Sequence, residues 1–304
     1  MQRKTQALIM NLLAVTFWSI APAMVHYVKD YYTINFQNFS RYFISLILLW
    51  PFFFLSNDRK RTADALRRIP SMFPKLLIIS GINYLFQETY TFGIFKLLPG
   101  IFTLILQSGI IFSVLFAFIF FADERRTLKN KVFIIGLIGA VSGVILTIAG
   151  GKNLGRVEIS LGILFSLISA ASWSLLGTLI KKWLPDLPAS LSIAVVFTVV
   201  TPLFLATYII SAGGFIIPKA PISIWALMLL SGFIGVGLGQ SLYYRAVPVL
   251  GISTASSLGL LTPFLAGLVS YFVFSEMLTA LQLAGGILLI VSSYFIIKIR
   301  FRHI

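Results

Sequence analysis

The sequence predicts an all-α, polytopic membrane protein: ten transmembrane helices built as two five-helix inverted repeats, 1–152 and 153–304. Three observations predict it. Of the 304 residues 58% are hydrophobic and only 11% charged, where an ordinary soluble domain is about a quarter charged. The apolar residues fall into ten windows of the length that crosses about 30 Å of hydrocarbon. The second half of the chain also resembles the first when the two are laid in register.

The windows run 6–28, 36–56, 72–95, 99–121, 131–150, 158–180, 189–211, 222–244, 251–274 and 280–297. Each stops at residues that break or charge a helix. Asn57 to Lys60 is polar, and Pro99-Gly100 divides a longer apolar run. Glu124-Arg125-Arg126 ends the fourth window and Gly150-Gly151-Lys152-Asn153 the fifth. Pro185 to Pro188 separates the sixth and seventh, and Gly213-Gly214 with Pro218 and Pro221 the seventh and eighth. At the N-terminus, Arg3 and Lys4 before an apolar stretch with Ala21-Pro22-Ala23 imitate a cleavable signal. The apolar run continues to about Tyr27, so a retained first helix is expected. Pro22, Pro202 and Pro263 lie inside windows, where they kink helices and free carbonyls.

The formal net charge is +15, but no nucleic-acid partner is expected, because the cations sit between windows. With the N-terminus inside, Lys and Arg divide 18 inside to 5 outside, with Arg41 left well inside a span. That bias places both termini in the cytoplasm of a cell inner (plasma) membrane, as cytoplasmic loops retain positive charge. Cys is absent and His occurs twice, as His26 and His303. Disulfides, thiol catalysis and histidine-rich metal centres are excluded, and no cofactor or metal is expected. No nucleophile–base set is apparent within the windows, so an enzyme is not expected. The short loops leave no room for a soluble catalytic domain.

A shift of 151 lays Ser80-Gly81 on Ser231-Gly232, Gly100-Ile101 on Gly251-Ile252 and Thr103 on Thr254. A shift of 152 lays Glu124 on Glu276, and one of 155 lays Trp18-Ser19 on Trp173-Ser174. Five is odd, so the second copy enters the membrane in the opposite sense, an arrangement that places a transporter's site near the midplane between the copies. The charges agree. Loops 57–75 and 122–131 are rich in Lys and Arg, while their counterparts 212–221 and 275–279 carry only Lys219.

With these residues in view, the chain resembles an EamA-type member of the drug/metabolite transporter superfamily. The marks are Phe17-Trp18-Ser19 and Ser172-Trp173-Ser174, Arg41 in the second helix, Gly100 and Gly251 opening the fourth and ninth, and Pro263 followed by Glu276. The chain departs from the pattern at Ile111, where the matching position is a proline, and in having no arginine in its seventh helix. The resemblance implies ten spans from two inverted five-span repeats. It also implies transport of cargo that ranges across the family over amino acids, other metabolites, nucleotide-linked sugars and drugs.

Ionisable residues inside a membrane are costly and mark function by default. Glu88 lies midway along the third window among Asn83, Tyr84, Gln87 and Thr91, and helical spacing gathers these into one polar wedge. Cargo contact or proton binding is one reading; a buried pair with Arg41, or hydrogen bonds between helices, is the other. Arg41 either snorkels to the outer interface or faces a cavity and holds a carboxylate. Gln107 and Ser108 are polar in the fourth window, where the second copy has Leu258 and Gly259. Ser257 belongs to a serine-rich stretch of the ninth. Trp18, Trp173 and Tyr243 line a cavity or gate, or merely fill the core. Gly232, Gly235, Gly237 and Gly239 serve close packing or let the backbone approach cargo.

The expected function is therefore a secondary transporter that exports a small metabolite by alternating access. An amino acid or similar zwitterion suits Glu88, Arg41 and the aromatic side chains together; a multidrug exporter of cationic amphiphiles is the alternative. A channel or scaffold is the reading from a different class. The expected partners are a small-molecule substrate, the lipid bilayer and, for coupling, protons, with the chain acting as a monomer or weak homodimer.

Overall fold

The computed structural model describes residues 2–54, 66–122, 130–151, 157–185, 187, 189–250 and 252–300. The described residues are helical nearly throughout and form no strand. The helices are α1 (Gln2–Tyr27), α2 (Ile34–Phe54), α3 (Ile69–Lys96), α4 (Pro99–Phe120), α5 (Lys131–Ala149) and α6 (Val157–Trp183). They continue as α7 (Ala189–Ala212), α8 (Ile222–Leu250), α9 in two segments (Ile252–Gly259 and Thr262–Phe274) and α10 (Ala280–Arg300). The loops 57–60, 124–126 and 152–153 that end three of the expected windows lie outside the described residues.

Eight helices among the described residues are long and apolar enough to cross a membrane. The two left out are α2, whose first turns carry Asn35, Gln37, Asn38 and Arg41, and α9, which is interrupted at Leu260-Leu261. The outward surface fits hydrocarbon. On α5, Ile135, Ile138 and Ile145 are each at least 60% exposed, and such a stripe would be costly in water. Its other face is lined with glycine. A Cβ on Gly143 would stand 2.6 Å from the Leu289 nitrogen and 2.8 Å from the Gly285 oxygen of α10. Only bare backbone lets α5 and α10 approach so closely, as small residues do between membrane helices.

Contacts between ends show how the helices alternate. Gly150, after α5, meets Thr279 and Gln282 at the start of α10, and Gly162 near the start of α6 meets Lys96 and Leu97. His26 near the end of α1 bonds through Nδ1 to the Ile94 carbonyl of α3 (2.6 Å) and lies edge-on to Phe274 of α9. These residues form one end of the bundle, here called the far end. The opposite end holds Gln2 and Arg300 and is called the near end. Helix pairing has a simple regularity. α3 packs on α6 and α1 on α8; α4 packs on α6 and α1 on α9; α2 meets α7, α4 meets α9 and α5 meets α10. Exchanging each helix for the one five places along returns the same set.

Two helices are broken at corresponding places. In α4 the bonds Ser108 N–H to Ile105 O and Ile111 N–H to Ser108 O, both 2.9 Å, tighten the helix at Gln107-Ser108. In α9 the Leu261 N–H turns back to Leu258 O (3.0 Å) before Pro263 opens the second segment. A tightened turn leaves carbonyls without their usual partner. Here serines supply one. Ser174 Oγ on α6 donates to Gly109 O of α4 (2.7 Å), and Ser19 Oγ on α1 donates to Thr262 O of α9 (3.2 Å). The repeated Trp-Ser pair thus performs one task in each half.

Candidate functional site

The sequence-predicted polar residues separate into two groups. The first surrounds Arg41. Its side chain is 2% exposed, and its Nε and Nη1 are buried without a hydrogen-bond partner. The guanidinium carbon lies 6.0 Å from the centre of the Tyr90 ring on α3, and Tyr42 and Tyr90 are the ionisable side chains beside it. Arg41 is held from behind by α8. A Cβ on Gly232 would come within 2.7 Å of the Arg41 Cα, and one on Gly235 would stand 3.8 Å from Arg41 Nη2. Residues Gly232–Leu238 form a π-helical turn, a local widening often found at functional sites. Trp18 donates its Nε1–H to the Gly235 carbonyl of that turn (3.0 Å) and packs on Tyr243, 5.2 Å between ring centres. The Tyr243 hydroxyl meets Ser256 Oγ at 3.4 Å. Trp173 reaches this group through an aromatic chain: it packs on Phe86, Phe86 on Tyr90, and Tyr90 edge-on to Phe102 of α4.

The second group is a hydrogen-bonded cluster between α2 and α3 with Asn38 at its hub. Asn38 Nδ2 donates to Glu88 Oε1 (2.9 Å), while Asn38 Oδ1 accepts from Thr91 Oγ1 (2.6 Å) and Gln87 Nε2 (3.2 Å). Tyr42 donates to Gln87 Oε1 at 3.4 Å, and Asn83 lies beside Tyr42. Tyr84 stacks on Phe204 of α7. Glu88 is half-buried and bonded to an amide, not to Arg41. Among the described residues the paired Arg41–Glu88 arrangement does not form. Gln107 and Ser108 lie at the α4 break, with Ser108 Oγ buried and unpartnered. The Ser257 side chain lies outside the described residues. Snorkelling of Arg41 to the interface is not what the structure has, since the guanidinium is turned inward under α8.

Glu276, noted in the sequence as a mark of repetition and of the family pattern, proves to be a structural bolt. Ser275 has φ 54°, a left-handed value rare outside glycine. It turns the chain sharply after α9 and swings the buried Glu276 carboxylate onto the start of α4. There Glu276 accepts from the Gly100 N–H (2.7 Å) and the Ile101 N–H (2.8 Å), and also from the Ser270 hydroxyl. A carboxylate on the first amides of a helix answers both their unmet donors and the positive end of the helix dipole. The far end is thereby clamped: Pro99–Leu106 of α4 lies against Thr262–Phe274 of α9. Toward the near end, Gly109–Phe120 packs instead on α6, and Ile252–Gly259 on α8, α1 and α10. Among the described residues no three His, Asp or Glu side chains gather as a metal site would require.

Residues 160–298 match the EamA-like transporter family. That stretch, a little under half of the chain, is similar to the family. An uncharacterized transporter of Haemophilus influenzae (strain ATCC 51907 / DSM 11121 / KW20 / Rd) is 25% identical over 239 residues, covering 74% of this chain and 77% of that protein. A solved protein crystal structure superposes with a TM-score of 0.60 at 16% identity over 98% of both chains, which is a likeness of fold. The EamA match falls on the half that holds Trp173-Ser174, the π-helical turn and Glu276. Arg41 and the Asn38 cluster lie in the preceding half.

Proposed function

We propose that this protein is a secondary transporter that moves a small metabolite across the inner (plasma) membrane by alternating access, in the export direction. An amino acid or similar zwitterionic compound is the best-matched cargo. One observation carries the reading. Two broken helices, α4 and α9, are each bridged by the serine of a repeated Trp-Ser pair, and among the described residues they are clamped together at the far end. Broken helices at a repeat interface suit a site at mid-membrane, and two equivalent arms joined at one end can exchange that closure for the other. The pairing of helices under exchange with the one five places along supports two inverted repeats, 1–152 and 153–304. The Lys and Arg bias supports cytoplasmic termini, which would make the near end cytoplasmic. Glu88 is the proposed proton site; Asn38 is bonded to it and Tyr84 is the titratable side chain beside it.

Reconstitution tests the reading. Liposomes carrying the purified protein should exchange internal for external labelled amino acid, with the rate changing as the pH is varied on one side. Protein-free liposomes should not. Glu88→Gln removes the titrating group while keeping size and hydrogen bonding, so its rate should stay flat across the same pH series. Glu88→Gln with the wild-type pH profile would return Glu88 to a purely structural role. Absence of exchange for every metabolite offered, at a protein density that supports binding, would count against a carrier.

A further inference from the structure

We infer that Arg41 is the docking point for a carboxylate on the cargo, so that the transported compound is a monocarboxylic acid or zwitterion and not a simple cation. The inference rests on the carrier reading and narrows its substrate class. Its basis is a charge with no balance. Arg41 stays protonated in proteins. It lies nearly fully buried in the middle of a bundle, with Nε and Nη1 unpartnered. Among the described residues no hydrogen bond or ion pair reaches its side chain, and Glu88, the carboxylate midway along α3, is bonded to Asn38. An isolated buried cation is strongly unfavourable, and breaking an existing partnership leaves that penalty in place. A protein keeps such a group where a ligand supplies the missing anion.

The chemistry of the surroundings selects among anions. A guanidinium presents paired N–H donors that match the two oxygens of a carboxylate. Arg41 is a single positive charge with tyrosines, not lysines, beside it. One charge balances one carboxylate, whereas a phosphate dianion would leave an excess. Around it, Trp18, Tyr90 and Tyr243 offer ring faces and edges to an apolar body, and Gly235 lets α8 close on Ala21 of α1 beside Nη2. A cationic amphiphile would meet the same rings but would face the like charge of Arg41.

Thermal unfolding of the purified full-length protein tests this without requiring transport. The probes are L-leucine, L-phenylalanine and L-methionine, each beside its carboxamide, together with tetraphenylphosphonium. At least one acid should raise the wild-type midpoint by about 2 °C or more at saturation, while its amide and the phosphonium should not. Arg41→Lys keeps the charge but loses the fork, so it should need about tenfold more acid for the same shift. Arg41→Met removes an unbalanced charge. Its ligand-free midpoint should equal or exceed that of the wild type, and the acid should no longer shift it. Equal shifts by acid and amide, a shift by the phosphonium alone, no shift by any acid, or a ligand-free midpoint of Arg41→Met well below wild type would each overturn the assignment. The last would make Arg41 structural. Liposomes that transport a compound lacking a carboxylate would leave the carrier standing and remove only the role given to Arg41.

Discussion

Glu276→Ala is expected to be the most damaging single substitution at the far end. It would strand the Gly100 and Ile101 amides and the Ser270 hydroxyl, which all now bond to the one buried carboxylate. Each buried group left without a partner costs about 1–3 kcal/mol, so a loss of about 3–5 kcal/mol is expected after partial rehydration. Glu276→Gln keeps one acceptor and loses the charge, and should cost roughly half as much. Urea unfolding in detergent measures both. The same substitution should also free α4 from α9, so that the 275–280 turn becomes sensitive to protease while the rest of the bundle stays resistant. A loss below about 1 kcal/mol for Glu276→Ala would mean that water reaches these amides and that the clamp is weak.

Gly143→Val should be comparably severe, for a different reason. The new side chain would press on backbone atoms of α10 at 2.6 and 2.8 Å, and backbone cannot rotate aside as a side chain can. Gly285 faces the same crossing, with its own missing Cβ 2.6 Å from the Thr147 nitrogen. The two helices must part, loosening the cluster of Phe133, Ala140, Val144, Leu289 and Ile296. Overpacking of this kind costs about 3 kcal/mol. Gly267→Ala is the control. Its Cβ would meet nothing within 4 Å, and alanine favours helix over glycine by about 1 kcal/mol. Stability should therefore fall in Gly143→Val and stay level or rise in Gly267→Ala. Similar effects of both would show that glycine acts here through the unfolded chain and not through the crossing.

The contrast between these residues shows what a sequence can carry. Helix positions were legible because length and apolarity are local properties. The expected windows meet the helices within a few residues, apart from α8, which continues to Leu250. The register of Trp18-Ser19 with Trp173-Ser174 was legible as repetition. Its task was not, because the carbonyls of Gly109 and Thr262 lie 65 and 243 residues from the serines that reach them. Glu276 and Gly100 were each visible as marks, but nothing local joins residues 176 apart. Gly139 and Gly143 did carry a signal, since two glycines four apart in an apolar helix indicate a close crossing. The separation of Glu88 from Arg41 depends on how α2 and α3 are rotated about their axes. Helical periodicity groups residues on one helix but cannot orient that group toward a neighbour. Asn38, which decides the matter, is in the sequence only one of several polar residues preceding Arg41.

Distance measurement between spin labels at the two ends tests alternating access most directly. The chain contains no cysteine, so labels can be placed in pairs without removing any. Lys96→Cys with Met277→Cys reports on the far end, and Ala122→Cys with Val249→Cys on the near end. Ligand binding shifts populations between states that already exist. In liposomes, across a titration with a carboxylate cargo, the two distance distributions should change reciprocally: the far-end pair lengthens in the same fraction of molecules in which the near-end pair shortens. Two pairs that lengthen together, or that stay fixed while labelled cargo is exchanged, would contradict a carrier that opens one end at a time.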